Sequence, residues 1–258
     1  MKTIASLDFE VVDIAAVPTL FDHIRTIDPP PNQAKRLATL VSDLGLDVNS
    51  VISVLWAPDA WDDLDELRRR SVIAADAAAA VEAKSWIVEA GVWRPSETRT
   101  VAIERFKRTI AMQYGVASER SLRLVVEAPH GGTLAEDYDG MVEILGAAAD
   151  VGAEVGLDVD LRPALTCGVP TVQILDVYFD VLAHIAVADA VSSGAGFVKL
   201  GDGEVDVRAA VNALMEKGYD GDLMLELELG DRLVDERITL IEHDRNYLRN
   251  LVAEASVL

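Results

Sequence analysis

The sequence predicts an α/β chain of the (β/α)-barrel class, and three observations carry that prediction. Short β-branched runs alternate with longer Ala/Leu/Arg/Glu segments, the pattern of parallel strands joined by helices. The chain has 258 residues, and one such barrel runs to about 250 residues without dividing. Three strand-like segments end in an acid on one face, which a parallel barrel would bring to its C-terminal mouth, where such barrels do their chemistry.

Strands are expected near 8–14, 51–56, 84–90, 121–127, 154–160, 184–189 and 222–228, with helices near 33–45, 63–82, 97–117, 134–151, 169–182, 205–217 and 233–254. That is seven strands, not eight, in one domain over residues 1–258. Asp28 to Asn32 encloses the only proline cluster and forms a stiff loop before the first helix. The Ala-rich run from Ala74 to Val81 is helix whose small side chains allow close packing on a sheet. In 121–127, Leu122, Leu124 and Val126 share one face, and Arg123, Val125 and Glu127 share the other. Thr133, with Glu136 three residues on, reads as a capping box for the 134–151 helix. In 154–160 the alternation sets Val155, Leu157 and Val159 outward and Gly156, Asp158 and Asp160 inward. Gly218 closes the 205–217 helix. The strand after it puts Leu223, Leu225, Leu227 and Leu229 against helices, and Met224, Glu226 and Glu228 on the inner face.

Gathering several carboxylates away from water is costly through desolvation and mutual repulsion unless protons or a cation compensate. A divalent cation with oxygen ligands is the simplest compensation for Glu127, Asp160 and Glu226 together. Composition narrows the partners. With 23 Lys+Arg against 44 Asp+Glu the net charge is −21, which repels phosphate backbones and anionic lipid, so a small-molecule substrate is expected and nucleic acid is not. No apolar run approaches the roughly 20 residues needed to cross a bilayer. The single cysteine, Cys167, excludes an intrachain disulfide and reads as a buried spectator thiol. No basic and apolar leader opens the chain, so a cytoplasmic location is expected.

With those residues in hand, the segment from about residue 50 to 255 resembles the sugar phosphate isomerase/epimerase superfamily, the xylose-isomerase-like TIM barrels. The resemblance rests on Val125-Val-Glu127-Ala-Pro-His130, Val155-Gly-Leu-Asp-Val-Asp160, Leu200-Gly-Asp-Gly-Glu-Val-Asp206 and Gly218 through Glu226, in that order. It implies a TIM (β/α) barrel, incomplete at the N-terminus because the chain starts almost at the family's second strand. Two imidazoles that the family carries are missing. Asp160-Leu-Arg-Pro163 lacks the histidine three residues after the aspartate, and His184-Ile-Ala186-Val-Ala-Asp189 has alanine at a ligand position. The implied metal set is therefore Glu127, Asp160 and Glu226, an all-oxygen set suited to Mg²⁺ or Mn²⁺ more than Zn²⁺. His130 or His184 is a conceivable substitute ligand, His184 equally a satisfied core histidine, and a degenerate site holds no metal.

The resemblance implies an isomerase or epimerase on a sugar-like hydroxy-carbonyl compound, with proton transfer at the carbon beside a metal-bound carbonyl. Glu127, Glu226 and His130 are its acid/base candidates. Arg162, Lys199 and Trp56 are its substrate-binding candidates, with Trp93 as a second aromatic wall and Glu228 as a rim residue. Two other readings stand beside it: a lyase or dehydratase on a hydroxy-keto acid, and a non-catalytic barrel that binds a ligand or partner. The missing first βα unit leaves a strand edge to cover, so the Asp28–Asn32 loop or a second subunit is expected there, and a homo-oligomer with it.

Overall fold

The structure, a computed structural model, describes all residues except 19, 56–62, 95, 193–195, 228, 231 and 257–258. The chain divides into two compact units. The first is Met1–Glu127 with Gly132–Gly156, and the second is Ala128–Gly131 with Leu157–Leu258.

The first unit runs α1 (Lys2–Ala5), β1 (Val11–Val17), β2 (Phe21–Asp22), α2 (Gln33–Asp43), β3 (Asp47–Ser53), α3 (Leu64–Ala80), β4 (Ser85–Glu89), α4 (Arg99–Ser118), β5 (Arg123–Glu127) and α5 (Tyr138–Asp150). Strands β1, β3, β4 and β5 pair in parallel in that order. Their two faces differ in chemistry. Val51, Trp86 and Leu124 lie side by side in register and are each at most 1% exposed, on the face covered by helices. Burying each such side chain contributes roughly 1.5–3 kcal/mol. The indole N–H of Trp86 donates to Ser53 Oγ at 2.9 Å, so its polar atom costs nothing there. The opposite face carries Asp13, Ser50 and Ser85 and ends in acids, and Ser50 Oγ donates to Asp13 Oδ1 at 2.7 Å.

The edge of β1 is covered from within the chain. β2 pairs antiparallel with it, Ala16 opposite Asp22 and Val17 opposite Phe21, and Ile24 N–H continues the ladder to Ala15 O. The cover is thus the segment just before Asp28–Asn32 and not that loop. Gln33 anchors the segment by bonding both the N–H and the carbonyl of Arg25. Three boundaries also differ from expectation. β1 starts at Val11 because a short helix and a left-handed turn at Asp8 precede it. β3 starts at Asp47, its polar Asp47, Asn49 and Ser50 masking a strand that carries an irregularity in register with β1. Thr133 and Glu136 do not form a capping box. Their side chains accept from Ala135 and Gly132 N–H in a turn, and Asp137 caps α5 through Gly140 N–H.

The second unit runs β6 (Gly156–Asp160), α6 (Leu161–Thr166), α7 (Thr171–Tyr178), a 3-10 turn (Phe179–Val181), β7 (Leu182–Val187), β8 (Asp189–Ala190), β9 (Phe197–Val198), α8 (Val207–Glu216), β10 (Leu223–Leu225) and α9 (Val234–Ala255). β7 pairs in parallel with β6 on one side and β10 on the other, while β8 and β9 form a small antiparallel ladder. Asp206 caps α8 through Ala209 N–H, and Gly218, at φ +74°, ends it as expected. The short α6, which no periodicity announced, starts directly on Asp160, whose carboxylate caps it. Seven parallel strands are present among the described residues, and none of the described helices is long and apolar enough to cross a membrane.

Candidate functional site

In the first unit the acids stand at strand ends. Glu89 and Glu127 are direct neighbours in register at the C-terminal ends of β4 and β5, and both are half-buried. Neighbours in register share a face, so Glu89 joins Glu127 on the face opposite Trp86 and Leu124. Sequence reasoning missed Glu89, although the alternation Ser85, Ile87, Glu89 against Trp86, Val88 contains the signal. The loop after β4 is held by Arg105 on α4. Its guanidinium reaches Glu97 Oε1 at 3.0 Å and Oε2 at 2.7 Å and also bonds Val92 O. That guanidinium holds the Glu97 carboxyl below its ordinary pKa. A bridge between Val92 and Thr133 ties the same loop to the one after β5. Trp93 lies in this loop with the Arg99 guanidinium 5.2 Å from its ring centroid, and Arg99 also pairs with Glu143 at 2.6 Å. Trp93 is therefore engaged with α4. Trp56 lies outside the described residues.

In the second unit three inward positions form a row. Asp160 on β6 is in register with Ala186 on β7, and Ala186 with Met224 on β10. One step toward the strand starts, Asp158 faces His184, and both side chains are buried. His184 Nδ1 lies 2.7 Å from Asp158 Oδ1. His184 is thus a buried histidine whose Nδ1 is satisfied by Asp158. Asp160 is 4% exposed and its Oδ1 accepts Arg162 N–H at 2.9 Å. Glu226, half-buried, follows β10 directly and bonds Val187 O through its N–H. Ala128 N–H donates to Asp158 O, which ties the Ala128–Gly131 segment to β6 and fixes the backbone that carries His130. His130 Nδ1 lies 2.8 Å from Gly131 O. The Arg162 guanidinium lies 4.4 Å from the centroid of the Phe197 ring, while Lys199 Nζ pairs with Asp202 at 3.0 Å. Glu228 lies outside the described residues.

Two buried aspartates that sequence reasoning gave no role hold the Leu200–Val205 loop. Asp189 Oδ1 accepts from Ala190 and Val205 N–H, and its Oδ2 accepts from Gly201 and Gly203 N–H. A side chain at Gly203 would overlap this carboxylate and come within 2.6 Å of Ala190 O, which explains glycine there. Asp244 on α9 accepts Leu200 N–H at 3.0 Å and lies 2.7 Å from His243 Nδ1, and burial pushes its carboxyl pKa up. The motif around Leu200 and Asp206 is therefore first an anchored loop, which places Lys199 at its start.

Among the described residues no three His, Cys, Asp or Glu side chains are grouped to hold a metal ion. In the second unit Ala186 stands in register between Asp160 and Met224, so the level of Asp160 offers no second donor on β7 or β10. The residues present do not fit the group the fold implies.

Comparison with known proteins adds the following. The profile of a family described as xylose isomerase-like TIM barrel matches residues 1–251. No curated protein sequence matches the chain. A D-tagatose 3-epimerase-like protein superposes with a TM-score of 0.78 at 16% identity, covering 99% of this chain and 92% of that one. The IolI protein with a bound zinc atom gives 0.75 at 14%, covering 98% and 92%. The probable 3-DHS dehydratase of petrobactin synthesis from Bacillus anthracis gives 0.74 at 14%, covering 96% and 92%. At these identities the likeness speaks for the fold alone.

Proposed function

Because the chain belongs to the xylose isomerase-like TIM barrel family, we propose that it is an isomerase or epimerase of a sugar-like hydroxy-carbonyl compound, moving a proton at the carbon beside the carbonyl. The observation that supports this reading is an acid at each of three parallel strand ends, Glu127 on β5, Asp160 on β6 and Glu226 directly after β10. In this reading Glu127 and Glu226 are the proton-transfer carboxylates and His130 a second acid/base. Arg162, steadied by Phe197, binds an anionic or hydroxyl oxygen of the substrate, with Lys199 and Trp56 as further substrate-binding candidates. If a cation were held, Glu127, Asp160 and Glu226 as oxygen donors would favour Mg²⁺ or Mn²⁺ over Zn²⁺, and it would supply polarisation of a carbonyl. The net charge of −21 favours small substrates over nucleic acid, and the chain is proposed to act as a homo-oligomer.

Proton exchange tests the reading directly. Ketose, inosose and dehydroshikimate-like compounds are incubated with the protein in D₂O, and deuterium at the carbon next to the carbonyl is followed by NMR. Exchange is expected with at least one hydroxy-ketone, and Glu127→Gln should slow it by about 10²-fold or more. Loss of water without exchange would point to a lyase on a hydroxy-keto acid. No turnover across the panel, with saturable binding retained, would favour a non-catalytic barrel. The observation on that last side is the replacement of a donor by Ala186.

A further inference from the structure

We infer that this chain holds no resident divalent cation, unlike the relative solved with zinc, because the wall of its second unit carries an apolar side chain, Ala186, beside Asp160 where a donor is implied. The inference concerns the site proposed above but does not depend on its activity. Asp160, Ala186 and Met224 stand at one level on three neighbouring strands, so one donor is followed by a methyl group and a thioether. A thioether is a poor partner for hard or borderline dications, which take three or more oxygen, imidazole or thiolate donors at about 2.0–2.6 Å. One level below, Asp158 and His184 are buried against each other at 2.7 Å, so Asp158 is engaged and at most the second ring nitrogen of His184 faces an ion. Asp160 Oδ1 accepts Arg162 N–H, which leaves Asp160 as a single carboxylate donor at its level. The described residues accordingly contain no group of three donors. Proton transfer then falls to carboxyl and imidazole groups of the chain, with Arg162, held over Phe197, as the fixed positive charge for a developing oxyanion. The proton leaves one carbon face for a carboxylate and returns from a carboxyl group, so no electron donor or acceptor enters.

Metal content, read independently of turnover, tests this. The full chain purified without chelator is assayed for metals by mass spectrometry, then titrated with Mn²⁺ and Zn²⁺ by calorimetry and thermal melting. Substoichiometric metal, no saturable isotherm and an unmoved Tm are expected. Ala186→His sets an imidazole between Asp160 and Met224, and it should gain a saturable zinc isotherm and a zinc-dependent rise in Tm. One tightly held metal per wild-type chain would overturn the inference, as would a folded Ala186→His that takes zinc no better than wild type. Because position 186 is almost fully buried, the added ring is able to prevent folding, and the wild-type measurements then decide alone. Absent exchange in D₂O together with absent metal would leave this inference standing and remove the proposed activity.

Discussion

The two units use their acids in opposite ways. In the first, Glu89 and Glu127 end adjacent strands, half-buried and side by side, while the load of the fold is carried on the other face by Val51, Trp86 and Leu124. In the second, buried acids are structural: Asp158 closes on His184, Asp189 collects four backbone N–H groups, and Asp244 secures Leu200. For the strand acids both placements follow from the alternation of side chains, yet only burial and partners tell an acid that supports the fold from one offered to a ligand.

The sharpest break of this comparison is at Asp189. Asp189→Ala leaves four backbone donors without their acceptor, each worth roughly 1–3 kcal/mol when buried and unmade. A loss of about 4 kcal/mol or more is expected in urea denaturation. Glu127→Ala, at a half-buried strand end, should cost under about 1 kcal/mol. Comparable losses in the two variants would erase the distinction between the units.

The first unit has its own ionic anchor at the start of α3, and it is smaller. Glu66 accepts from Arg69 at 2.6 Å and from the buried Arg70 at 2.7 Å. The Arg69 bond, reinforced by Arg70 against the cost of burial, holds the Glu66 carboxyl at about 2, below its ordinary 4.5. A depressed carboxyl pKa contributes stability that is complete above the unfolded value and lost as pH falls from 4.5 toward about 2. Glu66→Gln should therefore cost about 2 kcal/mol at neutral pH. The gap to wild type should narrow steadily through that acid window. A gap independent of pH would show that shape and packing, not charge, account for the loss.

The sequence made the strand–helix alternation, the placing of Glu127 and Asp160 at strand ends and of Glu226 just after one, and the stop at Gly218 legible, because those depend on local periods of two and 3.6 residues and on one glycine's backbone freedom. It did not reveal what lies across a strand. Glu89 opposite Glu127, and Asp158 opposite His184, are register facts set by pairing between distant segments. The hairpin at Phe21–Asp22 escaped because two residues carry no periodicity. Asp189 escaped because backbone donors leave no mark on side-chain pattern; only the glycine spacing of Gly201 and Gly203 hinted that something approaches closely.

The smallest expected effect separates an anchored loop from the side chain it presents. Lys199 pairs with Asp202 at 3.0 Å with both side chains well exposed, the kind of ion pair worth about 0–1 kcal/mol. The backbone that carries it is held elsewhere, by Asp189 and Asp244. Lys199→Ala should accordingly shift stability by less than about 0.5 kcal/mol. If Lys199 contacts substrate, the same change should weaken binding of an anionic ligand found in the D₂O panel while leaving a neutral analogue unaffected. A large stability loss would mean that the Lys199–Asp202 pair helps hold the loop, and that the division drawn here between buried acids that build and exposed charges that bind does not extend to this part of the second unit.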